Sequence, residues 1–333
     1  MIEPANDPGL AIDESAFFGD LGAAASAAAS ARMASEREEL LIAAPTRVPI
    51  DVRATLPLQV YYAATLRTMD ARDLEWHAVL VAVDLTHGRV SARRALPLPE
   101  RPPAALDPDD PSDVFRCELP VIEVRRQLEL PWREADLLIT LLLRERASNR
   151  VRIALQRSPT SYHDEEVARF VRRQRLPAPA APWPVAGRSG ALPRYGAAAG
   201  QGPPATDGVA LALARGPRTL LLTGGFRLPL EPGMRVPPTE TVGMADYGTP
   251  RPVAIVAITL VLLGHDELGP VVIPLRLPAH EVSVDAEGAE RAVGSFALDL
   301  FALERMPKMA QAWDVFAFSG EVMVGPLVCP AVG

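Results

Sequence analysis

Apolar and polar positions alternate with period two over many runs of strand length, and the 3.6-residue period of a helix is rare. IDVRATL from Ile50, QVYYAATL from Gln59, WHAVLVAVDL from Trp76 and RVSARRAL from Arg89 are the first of these runs. VFRCELPVIEV from Val114, ADLLITLLL from Ala135 and VRIALQ from Val151 follow. Turn chemistry separates them, with THG at Thr86, DPDDPSD at Asp107 and ASN at Ala147. A second set occupies residues 209–333 as VALALA, TLLLTGGFRLPL, VAIVAITLVLL, PVVIPLRLP, SFALDLF, WDVFAFS and EVMVGPLV. The number and spacing of strands in each set suit a sandwich.

Two stretches depart from this pattern. GDLGAAASAAASARMASEREELL from Gly19 is alanine-rich and predicts a helix, with an apolar face too small to dock firmly alone. SPTSYHDEEVARFVRRQR from Ser158 predicts a second helix. Ser161 and Asp164 fit a capping box, arginines fill the last turn, and Val167, Phe170 and Val171 form the stripe. From Leu176 to Gly208 the chain is rich in Pro, Ala and Gly without periodicity, as an interdomain linker would be.

The two β segments also echo each other. VLVAVDLTHGRVSARRALPLPE from Val79 and ITLVLLGHDELGPVVIPLRLPAHE from Ile258 share one order. An apolar strand leads to a His-and-Gly turn, and a second strand closes on Leu-Pro and an acid. The expected fold is therefore all-β: two tandem immunoglobulin-like β-sandwich domains, an Ala-rich N-terminal helix and one short interdomain helix. The expected boundaries are an acidic arm over 1–46, a first sandwich over 47–157, a helix over 158–175, a linker over 176–208 and a second sandwich over 209–333.

Composition narrows the function classes. The chain has 333 residues, 34 of them proline, and a net charge of −7. The arm over 1–46 is the most acidic part, and no segment has the basic excess that phosphate binding requires, so nucleic acid is not an expected partner. Cys117 and Cys329 fall in different segments, which does not suggest a bridge within one domain. The opening residues lack a basic region followed by an apolar one, and the longest apolar runs are too short to span a bilayer as a helix. The expectation is a cytoplasmic protein with no membrane partner.

Candidate chemistry is sparse. The five histidines are His77, His87, His163, His265 and His280, and no HxxxH or CxxC pair accompanies them. His265, Asp266 and Glu267 in the GHDELG turn are weak metal candidates, since turns favour the same residues for geometry and solubility. No catalytic residue and no cofactor is expected, as no P-loop, GxGxxG or GxSxG occurs.

Phe17, Phe18 and Leu21 form an apolar plug in the acidic arm, a docking peptide for a protein partner. Phe316 and Phe318 lie on one face of the strand whose other face carries Trp313, Val315 and Ala317. If uncovered, they form an interaction patch. The expected function is a non-catalytic binding or scaffold protein, with a homo-oligomer as one form of assembly. The alternatives are an enzyme or metalloenzyme-maturation subunit with a site near Asp246, Tyr247 and His265, and a structural subunit of a larger particle.

Overall fold

The computed structural model describes residues 11–12, 39–65, 78–94, 114–118, 121–143, 146–158, 194–195, 202–216, 219–236, 253–264, 269–279, 281–303 and 312–329. The fold is all-β apart from one short helix and two 3-10 turns among these residues. The chain divides into two compact units. One comprises Pro4–Ala181 and Asp266–Pro270, and the other Met1–Glu3, Pro182–His265 and Val271–Gly333.

The N-terminal unit holds β1 (Ala11–Ile12), β2 (Glu39–Pro45), β3 (Arg47–Pro49), β4 (Pro57–Thr65), β5 (Ala78–Asp84) and β6 (Arg89–Arg94). It continues with β7 (Val114–Glu118), β8 (Ile122–Glu123), helix α1 (Val124–Leu128), β9 (Ala135–Leu143), β10 (Arg146–Ala147) and β11 (Val151–Gln156). One sheet runs β1-β2-β4-β7, with β8 also on β4, and the other runs β3-β11-β9-β5-β6, with β10 on β9. Residues at two-residue spacing from both sheets share one core. Leu40, Ile42, Leu58, Val60 and Tyr62 come from the first sheet, and Leu80, Ile139, Leu141, Val151 and Ile153 from the second. That is the alternation a sandwich requires.

The C-terminal unit holds β12 (Arg194–Tyr195), β13 (Gly208–Arg215), β14 (Leu220–Pro229), β15 (Ala254–Gly264), β16 (Val271–Ala279) and β17 (Glu281–Val284). After them come β18 (Glu290–Asp299), a 3-10 turn (Leu300–Ala302), β19 (Trp313–Ser319) and β20 (Val322–Cys329). Its sheets run β12-β18-β14-β13, with β17 also on β18, and β16-β15-β19-β20. Leu222, Phe226, Phe296 and Leu298 face Val256, Ile258, Leu260 and Val315 in one core.

Strand order repeats between the units. The paths β2-β4-β7 and β11-β9-β5-β6 in the first correspond, strand for strand along the chain, to β13-β14-β18 and β20-β19-β15-β16 in the second. The join between the fifth and sixth strands of the pattern repeats as well. Glu123 caps α1 and Asp299 caps the 3-10 turn, each accepting a hydrogen bond from a backbone N–H of its own turn. Each also accepts the N–H of a buried leucine across the sheet, Leu56 at 2.8 Å and Leu220 at 3.1 Å respectively.

Several expectations shift. ELLIAAP forms β2 and supplies Leu40, Ile42 and Ala44 to the core, so the first unit takes β structure from within the expected arm, at 11–12 and again from 39. IDVRATL is mainly a connection. Val52 and Arg53 donate to the Pro49 carbonyl, and the Trp132 indole N–H reaches the carbonyls of Ile50 at 3.1 Å and Arg53 at 3.0 Å. VFRCELPVIEV breaks after β7, and α1 takes its end. In the expected linker, Arg194–Tyr195 pairs with β18. The Ala-rich helix and the capping box at Ser161 lie outside the described residues.

Candidate functional site

In β5, Leu80 and Ala82 point into the core, and period two makes Asp84 the next inward position. Asp84 is only 8% exposed. A carboxylate placed there needs partners to offset the loss of water. The β5–β6 turn supplies them. The His87 backbone N–H donates to Asp84 Oδ1 at 3.0 Å, and His87 Nδ1 lies 2.8 Å from Oδ2. Arg133 Nη2 stands 3.8 Å from the same oxygen. The turn is also fixed to β9, because the Asp136 N–H donates to Thr86 Oγ1 at 2.9 Å.

Asp84 lines a cavity of about 180 Å³ at this end of the sandwich. Register explains which side chains meet there. Asp84 pairs with Arg89 and Leu137, Ala82 with Ser91, and Leu155 with Ala135. The segment after α1 closes the opposite wall with Glu129, Leu130 and Pro131. Glu129 takes a left-handed conformation at φ 52° and is held by Arg93 at 2.6 Å. The α1 segment is also tied to β6, through the Gln127 side-chain amide and the Arg94 carbonyl.

The charges around the cavity are unequally satisfied. Glu129 has Arg93, and Asp84 has His87. Arg89 forms no ion pair among the described residues, and Arg133 has two buried nitrogens, Nε and Nη2, without a hydrogen-bond acceptor. A buried donor left in that state costs about 1–3 kcal/mol. Among the described residues the His87 ring hydrogen-bonds to Asp84.

Phe316 and Phe318 are 0% and 3% exposed. Both faces of β19 are buried, with Trp313, Val315 and Ala317 in the sandwich core and Phe316 and Phe318 on the other side. Asp314 shares that second face and is itself fully buried. Phe17, Phe18, Leu21, His265, Asp266, Glu267, Asp246 and Tyr247 lie outside the described residues. Among the described residues no group of three or more His, Cys, Asp or Glu could hold a metal ion, and no helix is long and apolar enough to cross a membrane.

Sequence reasoning placed His87 in a turn but missed its union with Asp84, Arg89 and Arg133. The available signal was a charged residue continuing the inward parity of an apolar strand, immediately before a turn. Cys329 is buried, and that burial pushes its thiol pKa up, against a smaller lowering by Arg215.

No family model matches the chain, and no curated protein matches it. Among solved structures, one similar chain comes from work on manganese lipoxygenase of Gaeumannomyces graminis and zonadhesin of Komagataella pastoris. It is 8% identical, the alignment covers 88% of this chain and 92% of that one, and the TM-score is 0.15. Another is a mutant of the CFA/I adhesin CfaE of enterotoxigenic E. coli, 10% identical, with 88% and 84% covered and a TM-score of 0.14. Scores this low carry no argument about function.

Proposed function

We propose that the chain is a non-catalytic protein-binding or assembly protein of the cytoplasm, built from two tandem sandwiches of immunoglobulin-like type. The repeated strand order supports that fold type, since three strands face four with the same connections in each unit. The domains proposed are those the sequence pattern suggests, with the first sandwich extended back to Glu39.

The feature that carries the functional reading is the apolar plug of Phe17, Phe18 and Leu21 in the acidic arm, because the second apolar face of each unit is already covered by the chain itself. Antiparallel sheets of a free-standing sandwich commonly solvate their outer faces. Here Val79, Val81, Val83, Leu138 and Leu142 are buried on the face of β5 and β9 turned away from the sandwich core. Val261, Leu263, Phe316 and Phe318 repeat this on β15 and β19. These faces are filled within the chain and are not free for a partner. Phe17, Phe18 and Leu21 supply a docking peptide in this reading, and a second copy of the chain is one partner it accommodates.

The test compares the full chain with one lacking residues 1–38, which spares β2. Cross-linking with mass spectrometry and light scattering should show a defined complex, in cells or with itself, that the truncation loses. Turnover of ester, phosphoester or peptide substrates by the purified chain, or stoichiometric bound metal, would overturn the reading.

A further inference from the structure

The cavity at the β5–β6 end of the first sandwich has an apolar floor and one lining guanidinium, that of Arg89. Ala82, Leu130, Leu137 and Leu155 provide the floor. Arg89 lines the cavity without an ion pair among the described residues, whereas Arg133 stands behind Asp84, paired with it and sealed from the cavity. The two acids nearby are already engaged, Asp84 by His87 and Glu129 by Arg93.

We propose that this cavity binds a small carboxylic acid with a short apolar body, the carboxylate meeting Arg89 and the body resting among Ala82, Leu137 and Leu155. Guanidinium groups present paired donors that match the two oxygens of a carboxylate. An ammonium ligand fits poorly, because both acids already have cationic or imidazole partners. Size limits the body. The cavity of about 180 Å³ compares with roughly 30 Å³ per water in the liquid, which suits a short branched chain and excludes a drug-sized molecule. The site lies on the core side of β5 and β9, away from their second apolar face, so it stands whether or not the chain assembles with partners.

The probe is 3-methylbutanoate, titrated into the full chain labelled for amide NMR, with its uncharged amide and 3-methylbutylamine as controls. Saturable shifts are expected at Ala82, Ser91, Leu130 and Leu137 with the carboxylate, and at least about tenfold weaker binding of either control. Arg89→Gln should weaken carboxylate binding about tenfold or more. Ser91→Leu should block binding by filling the cavity, and each variant's amide spectrum reports whether it is folded. Arg152→Gln, which removes a surface pair with Asp136, should bind as the parent does. The proposal is overturned if no carboxylate binding is seen up to about 10 mM. It is equally overturned if the amide or amine binds as well, if inorganic phosphate binds as tightly, or if a folded Arg89→Gln chain binds unchanged.

Discussion

The ring of Phe226 lies over the α-carbon of Gly294, its register partner on the neighbouring strand. The relation is reciprocal two residues along, where the ring of Phe296 covers Gly224. A Cβ added at either glycine would overlap the ring above it. Both rings are buried, so neither can swing into solvent to make room. Gly294→Ala and Gly224→Ala should each destabilise the chain by about 1–3 kcal/mol through overpacking. Denaturant melts of the single variants measure this. Adding Phe226→Leu to Gly294→Ala should recover part of the loss, and purely additive costs would contradict the stacked arrangement.

Asn149 acts as a substitute strand for Ile42. Its side-chain carbonyl accepts the Ile42 N–H at 2.7 Å, and its amide donates to the Ile42 carbonyl at 3.0 Å. Ile42 is completely buried, so these backbone groups have no water to replace Asn149. Asn149→Ala should cost about 1–3 kcal/mol for each group left unsatisfied. Asn149→Asp keeps the acceptor but sets a carboxylate oxygen against the Ile42 carbonyl, and should be at least as destabilising. Equilibrium unfolding, with amide exchange at Ile42 as the local readout, tests both.

The acids at Glu123 and Asp299 serve as a cap and a cross-sheet tie in one side chain. Glu123→Ala removes the acceptor for both Leu56 and Arg126, the latter at 2.6 Å. Asp299→Ala does the same for Leu220 and Phe301. Each should lower stability by about 1–2 kcal/mol, the upper part of the range for losing a cap. Arg126→Ala leaves its own backbone N–H in place and should cost far less. If it costs as much as Glu123→Ala, the effect comes from the exposed side chain and the tie is unimportant.

VRIALQ and VALALA were legible because period two survives where one face is buried and the other is not. AVLVAVD, buried on both faces, was legible because a valine-rich run closed by a turn favours a strand. β2 was not, for a physical reason. ELLIAAP is buried on both faces as AVLVAVD is, but it has no valine-rich run or preceding turn signal and continues directly from an alanine-rich stretch with helical propensity. The break at α1 was hidden too, because Val124 and Leu128 are spaced as two buried residues one helical turn apart within an apparently extended run. The cavity joins residues 82–91 to 129–137 and 155, and only strand register together with the path of α1 puts them side by side.

Cys329 offers a pH-dependent check on the last strand. Its thiol pKa is raised by burial, so the folded chain holds it as the neutral thiol. Alkylation requires the thiolate. Modification by iodoacetamide near pH 8 should therefore be slow in the native chain and fast in denaturant. Because the folded pKa lies above the unfolded one, stability should be constant below the ordinary thiol range and fall as pH rises through it. Peptide mapping after timed alkylation identifies Cys329, and equal rates in native and unfolded chains would contradict its burial.

Phe316 distinguishes a second core from an interaction patch. It pairs with Val261 across β15 and β19, and both are completely buried on the face turned away from Val315. Gly325 approaches it closely, since a Cβ there would stand 2.7 Å from Phe316 Cδ1. A phenylalanine on an exposed patch could be cut back at little cost to folding, usually within about 0.5 kcal/mol. Phe316→Ala should instead cost about 3–5 kcal/mol, as for a core aromatic. Phe316→Asp should be worse, placing a carboxylate among apolar neighbours two residues from buried Asp314. Melts of both variants beside Phe318→Ala decide the matter. Near-wild-type stability for Phe316→Ala would return this face to the surface and make it a contact for another molecule.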